Sequence, residues 1–246
     1  MKNLLKLHID NLARTKHPVN LVQNDSEATI YLYDIIEADY GISALSVIDA
    51  IAQAGDAKTL CVRISSPGGD VFESRAIMAA ISRFPGNTVA YIDGICASAA
   101  TSIALACKEV VMSEGGFFMI HCASAMAYGD KTDLRATADL LEKVEGVIVG
   151  DYTKKTGKDA AEIMTMMEKE TWMTSAEALA NGFVDRIEPG QAQPGNVWDL
   201  SAFANAPSPL APKPPIAPVP AIDTITAQHR ERQQQRLKLA NHETRQ

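Results

Sequence analysis

A serine hydroxyl is a poor nucleophile at neutral pH and needs a base that titrates near that range, which an imidazole supplies. The sequence places Ser98 within Gly94-Ile95-Cys96-Ala97-Ser98-Ala99-Ala100, after a strand-like stretch and at the opening of a helix-like one. A serine there sits on a sharp turn beside helix N-terminal amides, which favour negative charge, and its small neighbours let a substrate backbone approach. Five histidines occur, at positions 8, 17, 121, 229 and 242, and only His121, after Met119-Ile120, lies in the region patterned as a compact domain. A third feature, Ser66-Pro67-Gly68-Gly69, follows another strand-like stretch. Paired glycines permit positive φ and leave N–H groups unobstructed, which suits an oxyanion hole. Each feature alone has a plainer reading: a packed small-residue helix, a satisfied core histidine, an ordinary turn. Together, each at the end of a strand, they point to acyl transfer by a Ser–His pair. Cys61, Cys96, Cys107 and Cys122 form no CxxC pair and read as buried free thiols, and no His/Cys spacing suggests a metal.

The elements that must hold these residues alternate along the chain. β-Branched and aromatic runs mark strands at 28–33, 59–64, 88–92, 109–112, 117–120 and 183–187. Helical spacing marks 42–54, 70–84, 98–106, 131–155 and 159–167, and Thr174-Ser175-Ala176-Glu177 forms a capping box for a short helix ended by Gly182. The longest helix carries Leu134, Ala138, Leu141, Val144 and Ile148 on one stripe. Repeated strand-then-helix units imply an α/β fold with a largely parallel sheet and right-handed crossovers.

The segments SSPGGDV, GICASAA, MIHC and EALANGFVD together resemble the proteolytic subunit of the Clp protease over about residues 27–188. Glu170-Thr171-Trp172 and the extra C-terminal segment are most similar to the phage branch, the Clp-like prohead (head maturation) proteases. The resemblance implies a ClpP/crotonase-like spiral of β-β-α units with a protruding handle helix from about Lys131 that mediates contact between rings. It implies Ser98 as nucleophile, His121 as general base, and the Gly69 and Ala99 amides as oxyanion hole, with Gly68 their structural neighbour. The family's third member is an aspartate just ahead of the capping-box residue. Glu170 fills that slot here, a departure whose longer arm demands a shifted backbone or ring, and Asp185 is the nearby alternative. A proline usual two residues after the histidine is replaced by Ala123. A peptide would pair its backbone with an exposed strand near Asp70, Val71 and Phe72 and with the segment after Cys122. No cofactor is implied.

Proline draws the boundaries. Nine of the twelve fall between Pro189 and Pro220, so residues 190–223 read as an extended, poorly packed linker between the protease-like domain at 27–189 and a polar tail at 224–246, with 1–26 as an N-terminal segment. The linker and tail read as a docking element or a self-cleavage target. The formal charge is −7, with six Lys/Arg against four Asp/Glu in 191–246, which leaves −9 for 1–190 and disfavours nucleic acid as a partner. No run approaches the roughly 18 apolar residues of a membrane span, and Lys6 and Asp10 interrupt any signal-peptide core, so a cytoplasmic protein is expected. Thr156-Gly157-Lys158-Asp159 lacks the P-loop spacing, so substrates must be accessible segments, such as capsid or scaffold proteins, or be delivered by an unfoldase partner. Competing readings are an ATP-dependent housekeeping Clp subunit, a crotonase-like acyl-CoA hydratase, a non-catalytic assembly protein, and a Ser–Lys signal-peptide peptidase relative, for which a histidine stands where a lysine is wanted.

Overall fold

The computed structural model describes residues 19–24, 26–190 and 200–207. A mixed sheet is its backbone. Strands β1 (Asn20–Gln23), β2 (Glu27–Leu32), β3 (Thr59–Ser66), β4 (Asn87–Ala97), β5 (Glu109–Ser113) and β8 (Arg186–Glu188) lie side by side in that order. All these pairings are parallel except β1 on β2. The crossovers carry helices α1 (Ala44–Gln53), α2 (Val71–Ser82) and α3 (Ala99–Leu105). After β6 (Phe117–Ile120) come α4 (Lys131–Thr156), α5 (Ala160–Glu168), β7 (Thr171–Thr174) and α6 (Ser175–Ala180). The α/β class and the alternation expected from the sequence are both present.

β4 is the element that makes the site. It continues five residues beyond the expected stop at Ile92. Its first half pairs with β5, Val89 to Ile92 against Glu109 to Met112, and its last residues pair with β6, Ile95 to Ala97 against Phe117 to Met119. One strand thus feeds two sheet edges, and β7 closes the second by pairing antiparallel with β6. Alternation then divides the side chains between two layers. Cys96, Phe118 and Ile120 face the main core, with Ile30, Val62, Ile64 and Ile103. Ile95, Ala97 and Met119 face a second, smaller apolar cluster.

Two boundaries differ from expectation. The domain begins before residue 27, because β1 pairs along β2; the remainder of 1–26 falls almost wholly outside the described residues, as does the tail at 224–246. Residues 200–206 are packed and not a loose linker at all: Leu200 is 1% exposed and joins the second cluster, with Phe203 and Ala206 against it. A leucine and a phenylalanine in a proline-rich stretch suffice to dock it, since composition sets the average behaviour of a segment and two large apolar side chains set its local one.

The long helix α4 behaves as two halves. Ile148, Val149 and Tyr152 are buried in the core, whereas Leu134 and Ala138 of the expected stripe are exposed and Leu141 and Val144 only partly covered. Leu134, Leu140 and Val147 are each about half exposed (49%, 50% and 56%). The N-terminal half therefore protrudes, secured at its start by the capping box of Asp130 and Asp133.

Candidate functional site

Ser98 links β4 directly to α3 with φ 53° and ψ −127°, a backbone conformation that L side chains rarely adopt. Neighbouring groups fix this elbow. Its N–H donates to Met119 O (2.9 Å), and its carbonyl accepts from the Thr101 N–H (2.9 Å). Thr101 Oγ1 also bonds Tyr152 Oη of α4 (2.6 Å), and Ser74 Oγ of α2 donates to Ala99 O (2.8 Å). Three helices therefore meet at one serine.

His121 follows β6, whose alternation turns it to the same side as Met119. Its Nε2 lies 2.7 Å from Ser98 Oγ. Burial holds the imidazole below its ordinary pKa of 6.5, opposed by the negative charge of Glu170. The neutral ring is thus favoured, and a neutral ring whose Nε2 faces a hydroxyl can accept its proton.

The glycine pair closes against this serine. A Cβ on Gly68 (φ +92°) would fall 2.5 Å from Ala97 O and 2.7 Å from Ser98 Cβ, and one on Gly69 (φ +148°) would fall 2.0 Å from Ile36 O. Only glycine fits either place. Gly68 N–H is taken by Ser66 Oγ (3.2 Å), while the N–H groups of Gly69 and Ala99 donate to no group among the described residues. Two amides without partners among the described residues are thereby left as free donors; an oxyanion needs donors of this kind.

Glu170 sits elsewhere than the resemblance implied. At φ 49° its carboxylate accepts from Trp172 Nε1 (3.1 Å), Ala204 N (2.8 Å) and Asn205 N (2.7 Å). Among the described residues it makes no hydrogen bond to the imidazole and acts on it only through its charge. Asp185 holds the framework: it accepts from Val110 N (2.7 Å) and from Lys155 Nζ (2.6 Å), tying β5 to α4.

The helix expected over 70–84 is present at Val71–Ser82, so Asp70, Val71 and Phe72 offer no strand for a peptide to pair with. Asp70 is the N-cap of α2, its side chain accepting from Glu73 N (2.8 Å) and its N–H donating to Ile36 O (2.7 Å), so Val71 and Phe72 open a helix. β3 ends at Ser66, and Gly69, at positive φ, makes only an isolated bridge to Ile36 before the helix begins. Phe72 projects, 64% exposed. On the other side, Cys122 N donates to Met167 O (3.2 Å), and beyond it residues 123–127 run with no backbone pairing among the described residues. Composition hid one neighbour of the site: Phe203 stands edge-on to the His121 ring with centroids 5.4 Å apart. Its only sequence signal was a large apolar residue in a stretch dominated by proline and alanine. Among the described residues, no cluster of His, Cys, Asp and Glu could hold a metal, and no helix is long and apolar enough to cross a membrane.

Comparison with known proteins agrees with this architecture. The family model described as Clp protease matches residues 15–190. The chain is 25% identical over 162 residues to the ATP-dependent Clp protease proteolytic subunit 1 of Protochlamydia amoebophila, covering 64% of this chain and 79% of that relative. It is 26% identical over 166 residues to proteolytic subunit 3 of Rhodococcus jostii, covering 65% and 81%. A solved ClpP1 mutant from Listeria monocytogenes superposes with a TM-score of 0.59 at 20% identity, over 66% of this chain and 92% of that one, and shows the same fold. With a family match spanning most of its length and the fold to go with it, this chain belongs to the Clp protease family.

Proposed function

We propose that this protein is a serine endopeptidase that cleaves peptide bonds through an acyl-enzyme, a reading carried by the 2.7 Å contact between Ser98 Oγ and His121 Nε2. His121 takes the serine proton as Oγ bonds the scissile carbonyl carbon. The carbonyl oxygen, now an anion, is received by the N–H groups of Gly69 and Ala99; one good donor of this kind lowers the barrier by about 3–4 kcal/mol. The imidazolium returns its proton to the departing amine, and a water deprotonated by the same nitrogen releases the acid and restores the serine. The substrate backbone lies along the unpaired edge at 123–127, beside Cys122, and passes the Gly68–Phe72 turn. The family's rings and its unfoldase partners suit such a chain, which has no P-loop of its own at Thr156-Gly157-Lys158.

The substrates we infer are capsid or scaffold segments processed during phage head maturation, in host cytoplasm or inside the prohead. The support is the Glu170-Thr171-Trp172 signature and the proline-rich extension. A second reading, a housekeeping subunit fed by an ATP-driven unfoldase, is favoured by the names of the relatives. Portal and capsid genes flanking this one would select the first, and an adjacent unfoldase gene the second. The chemistry is tested by Ser98→Ala with a fluorogenic peptide and a fluorophosphonate probe. Loss of nearly all turnover and of labelling is expected, whereas turnover that survives the substitution would return the site to crotonase-like chemistry.

A further inference from the structure

Residues 200–207 pack against side chains of β4, β6 and β7, next to the proposed base. Leu200 is buried among Ile95, Ala97 and Met119, with Trp172 and Phe203 packed on the same cluster. Phe203 meets the Trp172 ring edge-on at 5.7 Å and the His121 ring at 5.4 Å. Immediately after it, the main-chain N–H groups of Ala204 and Asn205 donate to the two Glu170 oxygens (2.8 and 2.7 Å), and Asn205 Nδ2 donates to Lys169 O (2.9 Å). The segment therefore touches both the ring of His121 and the one carboxylate whose charge acts on that ring.

In a Ser–His–Asp triad a single carboxylate holds the ring's orientation and supports the imidazolium charge. Here the carboxylate whose charge acts on the ring is bonded to the strap and to Trp172 and not to the imidazole. We propose that residues 200–206 form a strap that belongs to the catalytic apparatus, with Phe203 as a positioning residue that braces the His121 ring and the Ala204 and Asn205 amides as clamps that keep the Glu170 charge beside it. This inference rests on the peptidase reading. The bracing is steric and needs only an edge-on ring. The clamp is electrostatic: two main-chain amides and an indole fix a long, otherwise rotatable side chain.

The test is steady-state kinetics on the full-length chain, with a fluorogenic peptide, across pH. Phe203→Ala is expected to lower kcat by about tenfold to a hundredfold, as loss of alignment does, with KM changed less than about twofold. Opening the ring to water should also move the acid limb of kcat/KM upward, towards the ordinary histidine value. Phe203→Leu, which keeps bulk against the ring, should recover most of kcat. Asn205→Pro removes one clamp amide, so its loss should largely vanish in a Glu170→Gln background, where the clamped charge is gone. Wild-type kcat and pH profile in Phe203→Ala would overturn the proposal, as would losses for Asn205→Pro and Glu170→Gln that simply multiply. A wild-type protein without Ser98-dependent turnover removes the peptidase reading and this inference with it. Turnover that depends on Ser98 but ignores Phe203 removes this inference alone.

Discussion

His121 must be neutral before it accepts a proton and charged while the tetrahedral intermediate lasts, and its surroundings bear on both requirements. Burial favours the neutral ring, and the Glu170 charge opposes that effect in part. The sign of the pH dependence follows. A base with a lowered pKa stays active to lower pH, so the acid limb of kcat/KM should lie below 6.5. Glu170→Gln removes the opposing charge and should move that limb lower still, while reducing kcat by about tenfold. That loss is far smaller than the roughly 10⁴-fold seen when a directly bonded triad carboxylate is neutralised. A pH–rate series on the two proteins checks both expectations, and a limb that rises in Glu170→Gln would contradict the assignment of the charge. The same lowered pKa has a cost in stability. Below 6.5 the unfolded chain binds the proton more readily than the folded one, so this residue's contribution declines as pH falls through that value and on to the folded-state pKa. Burial and the neighbouring Glu145 push the thiol of Cys122, next in the chain, up to about 11, which disfavours its thiolate.

At the scale of elements, the site depends on the junction of β4 with α3 and on the turn after β3. Gly68 shows how tight that junction is. Gly68→Ala would set a methyl 2.5 Å from Ala97 O at a φ of +92°, so either the turn or the serine elbow must move. A destabilisation of about 1–3 kcal/mol is expected. Fluorophosphonate labelling should fall further than the melting temperature alone would suggest, because the displaced atoms belong to Ser98; unchanged labelling would mean that the junction has slack. Much of this scaffold was legible beforehand. Strand and helix periodicity marked the alternation, and the turn glycines and the histidine count marked Ser98, His121 and Gly69. β1, the end of β4 and β7 were not legible, and for the last two the physical reason is plain. The end of β4 passes through Gly94 and small residues, which look like a turn until β6 pairs with them. β7 has only four residues, and its Trp172 and Met173 gain strand character from β6 alone. The strap was hidden because docking depends on where Leu200 and Phe203 land, which proline content does not reveal.

For the whole molecule, the unsatisfied feature is the exposed half of α4. Leu140 and Val147 are seven residues apart, close to two full turns, and so lie on one line along the helix, each half exposed or more. Nothing in the chain's described residues covers that line, and a helix exposing it gains by burying it, at about 1.5–3 kcal/mol for each fully covered side chain. Members of the family assemble as homo-oligomeric rings, and the resemblance assigns this handle to the contact between rings. We propose a second copy of this chain as the partner that covers the stripe. The double variant Leu140→Lys, Val147→Glu should leave the folded subunit nearly unchanged, since both positions are exposed and such substitutions shift stability by only about 0.5 kcal/mol. It should convert stacked rings into single rings or smaller species in analytical ultracentrifugation. Peptide turnover should fall together with assembly if ring contact holds the elbow in place, because α4 reaches the site through the Tyr152–Thr101 bond beside Ser98. Sedimentation identical to wild type would show that the stripe faces solvent in the assembled protein, and would leave Tyr152, at the buried end of α4, as that helix's link to the site.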